Sequence, residues 1–218
     1  CKANTDCKLR DYATEYKVKA SELDISAAQH FSVDSSAPFI TFDANRCISC
    51  GACVETCKGA SGHNAISFAK DHYHALPTSC ANLSATDERK APRVGFSVTM
   101  NDSDCVQCGN CVQVCPTGAL VDARDKTQGL TAAQKAPLKT VSSICTYCGI
   151  GCRINLHVDE QKNQIRHVSG DTSSPVNEGM LCVKGRFGFD FVGSDKRLTT
   201  PLIRKNGELV PASWQEAI

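Results

Sequence analysis

The chain has 218 residues, a formal net charge of +1 and a pI of about 7.6. A balance this close to neutral gives no bulk attraction to nucleic acid or to an anionic membrane, so neither is expected as a partner. No apolar run approaches the ~20 residues that a membrane-spanning helix needs, and no basic segment followed by an apolar stretch predicts a signal peptide. We therefore expect a cytoplasmic protein without a membrane span.

Cysteine accounts for 15 of the 218 residues. One interpretation is the disulfide scaffold of a secreted protein. The odd total and the tight runs of cysteines argue against it, because such close neighbours cannot all meet disulfide geometry. The spacing instead favours metal binding.

Because Cys1 stands inside a motif and Ile218 inside a predicted helix, we also expect a piece of a longer protein.

The first predicted element is an amphipathic helix near the start of the chain. Residues 32–38 are polar and predict a linker, and residues 126–139 predict a second one. Residues 39–125 contain an internal repeat, whose two copies are separated by a polar insertion at residues 70–93. The apolar face of the predicted helix comprises Leu9, Tyr12, Ala13 and Tyr16.

The elements predicted after the second linker are short strands and a final helix. The pair Asn206-Gly207 between two apolar stretches predicts a hairpin with a type I′ turn. Ser213 and Glu216 have the spacing of a capping box, so a helix should begin near Trp214. The predicted strands are 153–158 and 164–168, with 202–205 and 208–210 forming the hairpin.

The two copies of the repeat share the spacing C-x2-C-x2-C-x3-C. Three thiolates on one tight loop can reach three irons of a 4Fe–4S cluster, and the fourth cysteine of each copy ligates the other cluster. Small Gly51 and Gly109 would let the backbone turn closely around the clusters. The repeat resembles two-cluster ferredoxins over residues 44–122. Cluster A is thereby assigned to Cys47, Cys50, Cys53 and Cys115, and cluster B to Cys105, Cys108, Cys111 and Cys57.

The alternative for these two motifs is a pair of structural zinc sites. Zinc sites usually combine two separated two-cysteine pairs, whereas here four thiols crowd into each run and the run occurs twice. Cys115 is followed by Pro116, which completes the bacterial ferredoxin pattern, while Cys57 is followed by Lys58. The repeat therefore favours clusters over zinc.

A third cysteine set consists of CTYCGIGC and one more cysteine after a gap of 29 residues. Spacing alone leaves a 4Fe–4S cluster and a zinc ribbon open. The segments CTYCGIGC, GMLCVKGRFG and RLTTPLIRKNGELVPASW resemble the opening of the molybdopterin oxidoreductase family, most of all formate dehydrogenase alpha subunits. The resemblance implies that Lys184 lies between a cluster and the pterin, where the alternative is a solvated surface lysine. It implies a cluster C held by Cys145, Cys148, Cys152 and Cys182.

The N-terminal segment CKANTDCKLRDYATEYKV resembles the end of a cluster motif with one histidine and three cysteines. That motif occurs in NAD-linked formate dehydrogenases, iron hydrogenases and the large subunit of respiratory complex I. The resemblance makes Cys1 and Cys7 its last two ligands, and the alternative is two free thiols. Cys80, with His72 and His74 nearby in sequence, is interpreted as a plain loop cysteine because no fourth ligand is evident.

These patterns predict an α+β chain. It would contain a two-cluster 4Fe–4S ferredoxin-like domain, followed by the small 4Fe–4S domain that accompanies a bis-molybdopterin guanine dinucleotide (bis-MGD) cofactor with molybdenum or tungsten. The expected domains are a remnant of an N-terminal cluster domain (1–35), the two-cluster domain (39–125), the third cluster domain (140–195) and the start of the molybdopterin catalytic domain (196–218).

The resemblance implies the iron–sulfur portion of a formate dehydrogenase, which oxidises formate to CO2 or runs in reverse. Electrons would pass between the pterin-bound metal and clusters C, A and B. Partners would be the rest of the catalytic subunit and an NAD-reducing flavoprotein, a ferredoxin or hydrogenase subunits. No catalytic residue is assigned here, because the catalytic cysteine or selenocysteine belongs to the family's downstream domain. The alternatives are a nitrate reductase-like enzyme, an iron hydrogenase and a non-catalytic ferredoxin-like electron carrier.

Overall fold

A computed structural model of the protein describes residues 8–19, 31–68, 94–96, 98–124 and 138–218. The predicted N-terminal helix is confirmed as α1, which spans Lys8–Glu15. Within the described ranges, no helix has the length and apolar composition needed to cross a membrane. The predictions for Cys1, Cys7, His72, His74 and Cys80 lie outside the described residues.

Very short elements build the region that contains the repeat. Strand β1 pairs antiparallel with β4, and β2 pairs antiparallel with β3. Strands of two or three residues and helices of four or five are marginal in isolation, so tertiary packing must hold them. In chain order the elements are β1 (Ile40–Phe42), α2 (Ala52–Glu55), a π-helical turn (Thr56–Ala60), β2 (Ser67–Phe68), β3 (Val94–Gly95), α3 (Asn110–Val114) and β4 (Leu120–Asp122).

A single hydrophobic core joins the two copies of the repeat. Its fully buried members come from both copies and from the segment between them: Ile40, Ile66, Met100 and Leu120. The thiols of Cys53 and Cys111 are buried in the same core. Since each copy supplies only part of this core, neither copy has a core of its own.

The segment at residues 32–38, predicted to be a linker, packs against this core instead. Ala37 is buried, and the carboxylate of Asp34 accepts a hydrogen bond from the backbone N–H of Met100 at 2.7 Å. Ser36 Oγ accepts another from the backbone N–H of Asn101 at 3.1 Å. The polar residues that indicated a linker therefore accept hydrogen bonds from the backbone N–H groups of a loop 65 residues away.

The third cysteine set belongs to a second region, which is built on a three-stranded antiparallel sheet. The two predicted strands are confirmed as β6 (Arg153–Asp159) and β7 (Gln164–Gly170). Strand β5 (Lys139–Ile144) was not predicted, and it begins inside the predicted linker. It is exposed or half-buried throughout, so its sequence shows no alternation of apolar and polar residues. Its backbone hydrogen bonds to β6 hold it in place. Helix α4 (Val183–Phe187) packs on β7.

The C-terminal hairpin and helix form as predicted, with one difference. Strands β8 (Leu202–Lys205) and β9 (Glu208–Pro211) pair across Asn206 and Gly207, whose positive φ angles of 51° and 89° suit a type I′ turn. Ser213 Oγ caps α5 (Trp214–Ala217) by accepting from the backbone N–H of Glu216 at 3.2 Å. The Glu216 carboxylate pairs with Lys205 at 2.5 Å, so only half of the predicted capping box forms.

Aromatic rings connect the two regions. Phe39 stacks on Phe187 with ring centroids 5.1 Å apart. The Arg124 guanidinium lies over the rings of Phe39, Phe187 and Phe189 at 5.0–5.5 Å and forms a salt bridge with Asp190 at 3.1 Å. Cation–π contacts add to the burial of these rings. The two regions therefore pack directly against each other.

Candidate metal centres

The two cysteine loops of the repeat have the same backbone conformation. In the first loop the backbone N–H of Ser49 donates to Cys47 Sγ at 3.4 Å, and in the second the N–H of Gln107 donates to Cys105 Sγ at 3.4 Å. Donors aimed at sulfur stabilise negative charge there. The matching residues with positive φ are Ser49 (56°) and Gln107 (54°), then Gly51 (77°) and Gly109 (76°).

Each of two cavities in this region is lined by four cysteines. The first, of about 330 Å³, is lined by Cys47, Cys50, Cys53 and Cys115, and the second, of about 310 Å³, by Cys57, Cys105, Cys108 and Cys111. The last cysteine of each copy thus lies with the first three of the other copy. These sets coincide with those assigned to clusters A and B, whose ligation stays a prediction.

Burial makes the thiols of Cys53 and Cys111 hard to ionise in the absence of a cation. The pKa of Cys53 is raised to about 12, first by burial and then by the charges of the neighbouring cysteines. The pKa of Cys111 is raised well above its ordinary value, again mainly by burial. Thiolates are the metal-binding form, so ionisation of these two sulfurs is coupled to the binding of a cation. The cysteines acting on Cys53 are Cys115, Cys47 and Cys50.

The fourth cysteines of the two copies lie on different backbone. Cys57 is on the π-helical turn, and its sulfur accepts a hydrogen bond from the N–H of Ala65 at 3.2 Å. Cys115 is in an extended conformation where α3 ends. Pro116 disfavours helical geometry in the residue before it, whereas Lys58 lets the first helix continue into the π turn. The first copy has eight positions from Cys57 to Ala65, where the second has four from Cys115 to Ala119, and the four extra residues accommodate this turn.

Hydrogen bonds favour the thiolate of Cys115. Burial raises its pKa, but hydrogen bonds from Leu120, Thr117 and Ala119 outweigh burial and leave the pKa below its ordinary value. The Cys115 thiol is therefore easier to deprotonate than the Cys53 thiol of the same cavity, and a thiolate is the form that binds a metal.

The third group of cysteines surrounds the end of the three-stranded sheet. The backbone N–H of Cys145 donates to the carbonyl of Cys152 at 2.9 Å and closes the CTYCGIGC loop. Cys182 is the N-cap of α4. Burial, followed by the charges of Cys145, Cys148 and Cys182, raises the pKa of Cys152, which indicates that the four thiols lie near one another. Cys148 and Cys182 are exposed, so this group faces the surface.

Lys184 is exposed beside this third group. Its ammonium lies 5.9 Å from the ring centroid of Tyr147, which is itself between Cys145 and Cys148 in sequence. A lysine on the surface of a polar segment is ordinary by itself. The role implied for Lys184 at a pterin therefore stays a prediction.

The second and third cysteine groups are adjacent. Cys108 and Cys182 line one open cleft of about 780 Å³. Asn110, the first residue of α3, accepts a hydrogen bond from the backbone N–H of Leu181 at 3.0 Å. This bond connects the residue before Cys111 with the residue before Cys182.

The contact between the second and third cysteine groups also contains Arg186, which the sequence did not single out. It is 4% exposed, and its guanidinium donates to the Cys108 carbonyl at 2.9 Å, Gln113 Oε1 at 3.0 Å and Asn110 Oδ1 at 2.9 Å. Burial lowers its pKa. A basic residue between glycine and phenylalanine in a short segment carries no signal of burial, because arginine is mostly exposed in proteins.

The two loop glycines should differ sharply in their tolerance of alanine. Both have positive φ, so an alanine costs about 1–2 kcal/mol at either site. An added Cβ at Gly109 would lie 2.3 Å from Arg186 Cδ in a buried contact, whereas at Gly51 it would meet only the end of the exposed Phe68 ring at 2.8 Å. Overpacking a buried site costs about 1–3 kcal/mol more.

We therefore expect Gly109→Ala to lose its visible cluster absorbance at a lower guanidinium concentration than Gly51→Ala, with wild type the most resistant. Equal resistance of the two variants would contradict the packing of Arg186 against Gly109.

The donor sets fit iron–sulfur clusters. None of the twelve described cysteines forms a disulfide. Among the described side chains, no three of His, Cys, Asp or Glu converge as the ligands of a single ion do, and each thiol set in the repeat instead lines a cavity. Four cysteine thiolates are the usual ligands of a 4Fe–4S cluster, and the backbone donors would stabilise its negative charge.

Comparison with known families agrees with these donor sets. Residues 46–119 match the 4Fe-4S dicluster domain, and a second family of the same description matches residues 97–154. Residues 138–194 match the molybdopterin oxidoreductase Fe4S4 domain. The chain therefore carries a molybdopterin oxidoreductase Fe4S4 domain preceded by 4Fe-4S dicluster domains. The resemblance seen in the sequence is thus confirmed.

The chain is similar to two kinds of relative. One of the NADH-quinone oxidoreductase subunits of Rhizobium meliloti is 33% identical over 100% of the chain. Proteins provisionally named formate dehydrogenases in Staphylococcus aureus strains Mu50 and USA300 are 30% identical over 96% of the chain. The chain spans 23% and 22% of the length of these relatives.

Proposed function

We propose that the chain is the iron–sulfur electron-transfer portion of a formate dehydrogenase that contains molybdenum or tungsten. The observation that carries the proposal is the order of its parts, a dicluster domain directly before a molybdopterin oxidoreductase Fe4S4 domain. Relatives provisionally named formate dehydrogenases align with 96% of the chain, which supports that substrate. The activity belongs to the whole protein, because no catalytic residue is assigned in this segment.

The residues proposed to hold the clusters are the three cysteine groups. When bound, 4Fe–4S clusters supply one-electron transfer. The chain supplies the thiolates, backbone N–H donors such as those of Ser49 and Gln107, and burial that excludes water. The proposed ligands are Cys47, Cys50, Cys53 and Cys115 for cluster A, Cys105, Cys108, Cys111 and Cys57 for cluster B, and Cys145, Cys148, Cys152 and Cys182 for cluster C.

Contacts between the groups support a linear order of the three sites. The charges acting on Cys111 of the second group include that of Cys53 in the first. Cys108 of the second group shares a cleft with Cys182 of the third. The second group therefore has a neighbour on either side, as the middle member of an electron relay would.

The cofactor and partners of the whole protein complete the proposal. A bis-MGD cofactor would approach the exposed side of the third group, where Lys184 lies, and residues 196–218 would begin its catalytic domain. Cys1 and Cys7, within a 1–35 segment, would belong to a fourth cluster. The proposed partners are an NAD-reducing flavoprotein, a ferredoxin or hydrogenase subunits, in the cytoplasm. The proposed domain bounds are 39–125 and 140–195.

A second candidate function is a component of NADH-quinone oxidoreductase. The relative that bears this name covers the entire chain at 33% identity. In that case the clusters would serve electron transfer without formate chemistry in the same protein. The two functions share the iron–sulfur portion and differ in the reductant.

Formate should reduce the clusters of the full-length protein. Anaerobic addition of formate to the oxidised holoprotein is expected to bleach its visible absorbance and produce the same electron paramagnetic resonance (EPR) signals as dithionite. Dithionite alone is the control for intact clusters, and nitrate added to the reduced protein tests the nitrate reductase-like alternative through reoxidation. Reduction by dithionite but not by formate would contradict the formate dehydrogenase proposal and favour the second candidate.

A further inference from the structure

Arg186 places a buried positive charge against the second cysteine group. Its three hydrogen-bond acceptors are a carbonyl, an asparagine oxygen and a glutamine oxygen, all of them neutral. The remaining acidic group that acts on it, Asp122, does so more weakly than the thiols of Cys108 and Cys111. A guanidinium cannot lose its proton at ordinary pH, so its charge stays in place.

A buried cation without a carboxylate partner is costly, since desolvation takes several kcal/mol per ion. Neutral acceptors satisfy the N–H groups of Arg186 but leave its charge uncompensated. Close packing fixes this charge in the second loop, because an added Cβ on Gly109 would lie 2.3 Å from Arg186 Cδ. Among the groups that can become anionic, the thiols of Cys108 and Cys111 in the second cavity act on Arg186 more strongly than Asp122 does.

We propose that Arg186 is the counter-charge of cluster B and raises its reduction potential relative to clusters A and C. The proposal rests on the ligand set proposed above for cluster B. Reduction adds one electron to the cluster and breaks no bond, so the site becomes one unit more negative while the Arg186 proton stays in place. A nearby fixed cation stabilises the reduced state more than the oxidised state, and local charge is one of the factors that set cluster potentials.

The position of Arg186 couples two sites. It belongs to α4, the helix that begins directly after Cys182, while its guanidinium contacts the loop of Cys108. The helix that carries a ligand of the third group thereby also carries the charge that tunes the second. A displaced α4 would change the potential of cluster B even with all its own cysteines intact.

The test is a redox titration with dithionite, followed by EPR, on the holoprotein and four variants. Arg186→Gln removes the charge but keeps a polar side chain. Gln113→Glu keeps Arg186 and sets a carboxylate of the same shape 3.0 Å from its guanidinium. Arg186→Lys keeps the charge and loses the forked hydrogen bonds. Arg124→Gln removes another guanidinium from the same contact between regions, one that already pairs with Asp190.

We expect Arg186→Gln and Gln113→Glu to lower the ratio of reduced to oxidised cluster B at least tenfold at a fixed potential, about 59 mV for a one-electron couple. Arg186→Lys and Arg124→Gln should titrate like wild type, as should clusters A and C in every variant. Cluster B is identified as the signal that Cys105→Ser removes, since Cys105 belongs to this cluster with or without crossed ligation.

An unchanged cluster B in both Arg186→Gln and Gln113→Glu would overturn the inference and leave the proposed function standing. An equal shift in Arg124→Gln, or a shift of Arg186→Lys as large as that of Arg186→Gln, would show a packing role and also overturn it. If Arg186→Gln does not assemble its clusters, the isosteric Gln113→Glu variant decides. Wild-type protein without cluster B signals would refute both the inference and the proposed ligand set.

Discussion

Loss of the clusters should unfold residues 39–68 and 98–122, and not merely inactivate them. Ordering the chain costs about 1–2 kcal/mol per residue in backbone entropy. Against this the described part of the region has two-stranded sheets of two or three residues and a core in which four large side chains are fully buried. A core this small does not offset the entropy, so cluster ligation must supply the difference, as metal binding does in other small domains.

Hydrogen exchange on cluster-free and cluster-loaded protein measures this effect. We expect slow exchange in β1, β4, α2 and α3 of the loaded protein and fast exchange throughout them once iron is removed. Because the cavities contain cysteines of both copies, loss of one cluster should loosen both halves. Slow exchange retained in these elements of the iron-free protein would show a self-sufficient core and contradict the prediction.

Substitution of the last cysteine of one copy should damage the cluster of the other. Cys115 lies within the second copy but lines the cavity of Cys47, Cys50 and Cys53. We expect Cys115→Ser to remove or alter the cluster A signals and to leave a 4Fe–4S spectrum for cluster B. Serine is a poor substitute because its hydroxyl is not deprotonated at neutral pH as a ligating thiol is.

Cys57→Ser is the matched control, since Cys57 lies within the first copy and lines the other cavity. It should damage cluster B and spare cluster A. The signals of the two clusters are distinguished with Cys50→Ser and Cys108→Ser. These variants damage cluster A and cluster B respectively, whether or not the fourth cysteines are exchanged between the copies. Damage by Cys115→Ser confined to cluster B would refute the crossed ligation.

Local patterns in the sequence predicted the elements that depend on local chemistry. Asn206-Gly207 has the two positive φ angles that the type I′ turn requires, and Ser213 caps the helix after it. The alternation in β6 and β7 arises because one side of each strand is partly buried. The thiols that line each cavity in the repeat are the same sets that the sequence assigned to clusters A and B, and their ligation stays a prediction.

Features that depend on tertiary contacts were not predictable from local patterns. Residues 32–38 look like a linker, yet Asp34 and Ser36 accept hydrogen bonds from backbone N–H groups of a distant loop. Strand β5 has no buried face to generate an alternation. Lys184 drew attention through its family motif and is exposed, whereas Arg186, two residues later, is buried because Asn110, Gln113 and a carbonyl of the other region accept its hydrogen bonds.

The central claim is that three groups of four cysteines each hold a 4Fe–4S cluster, and the metal and sulfide content of the chain tests it most directly. After anaerobic reconstitution with iron and sulfide, followed by desalting, we expect about twelve irons and about twelve acid-labile sulfides per chain, four of each per cluster. Zinc measured in the same sample should be far below one per chain. Stoichiometric zinc with little iron and no labile sulfide would contradict the account.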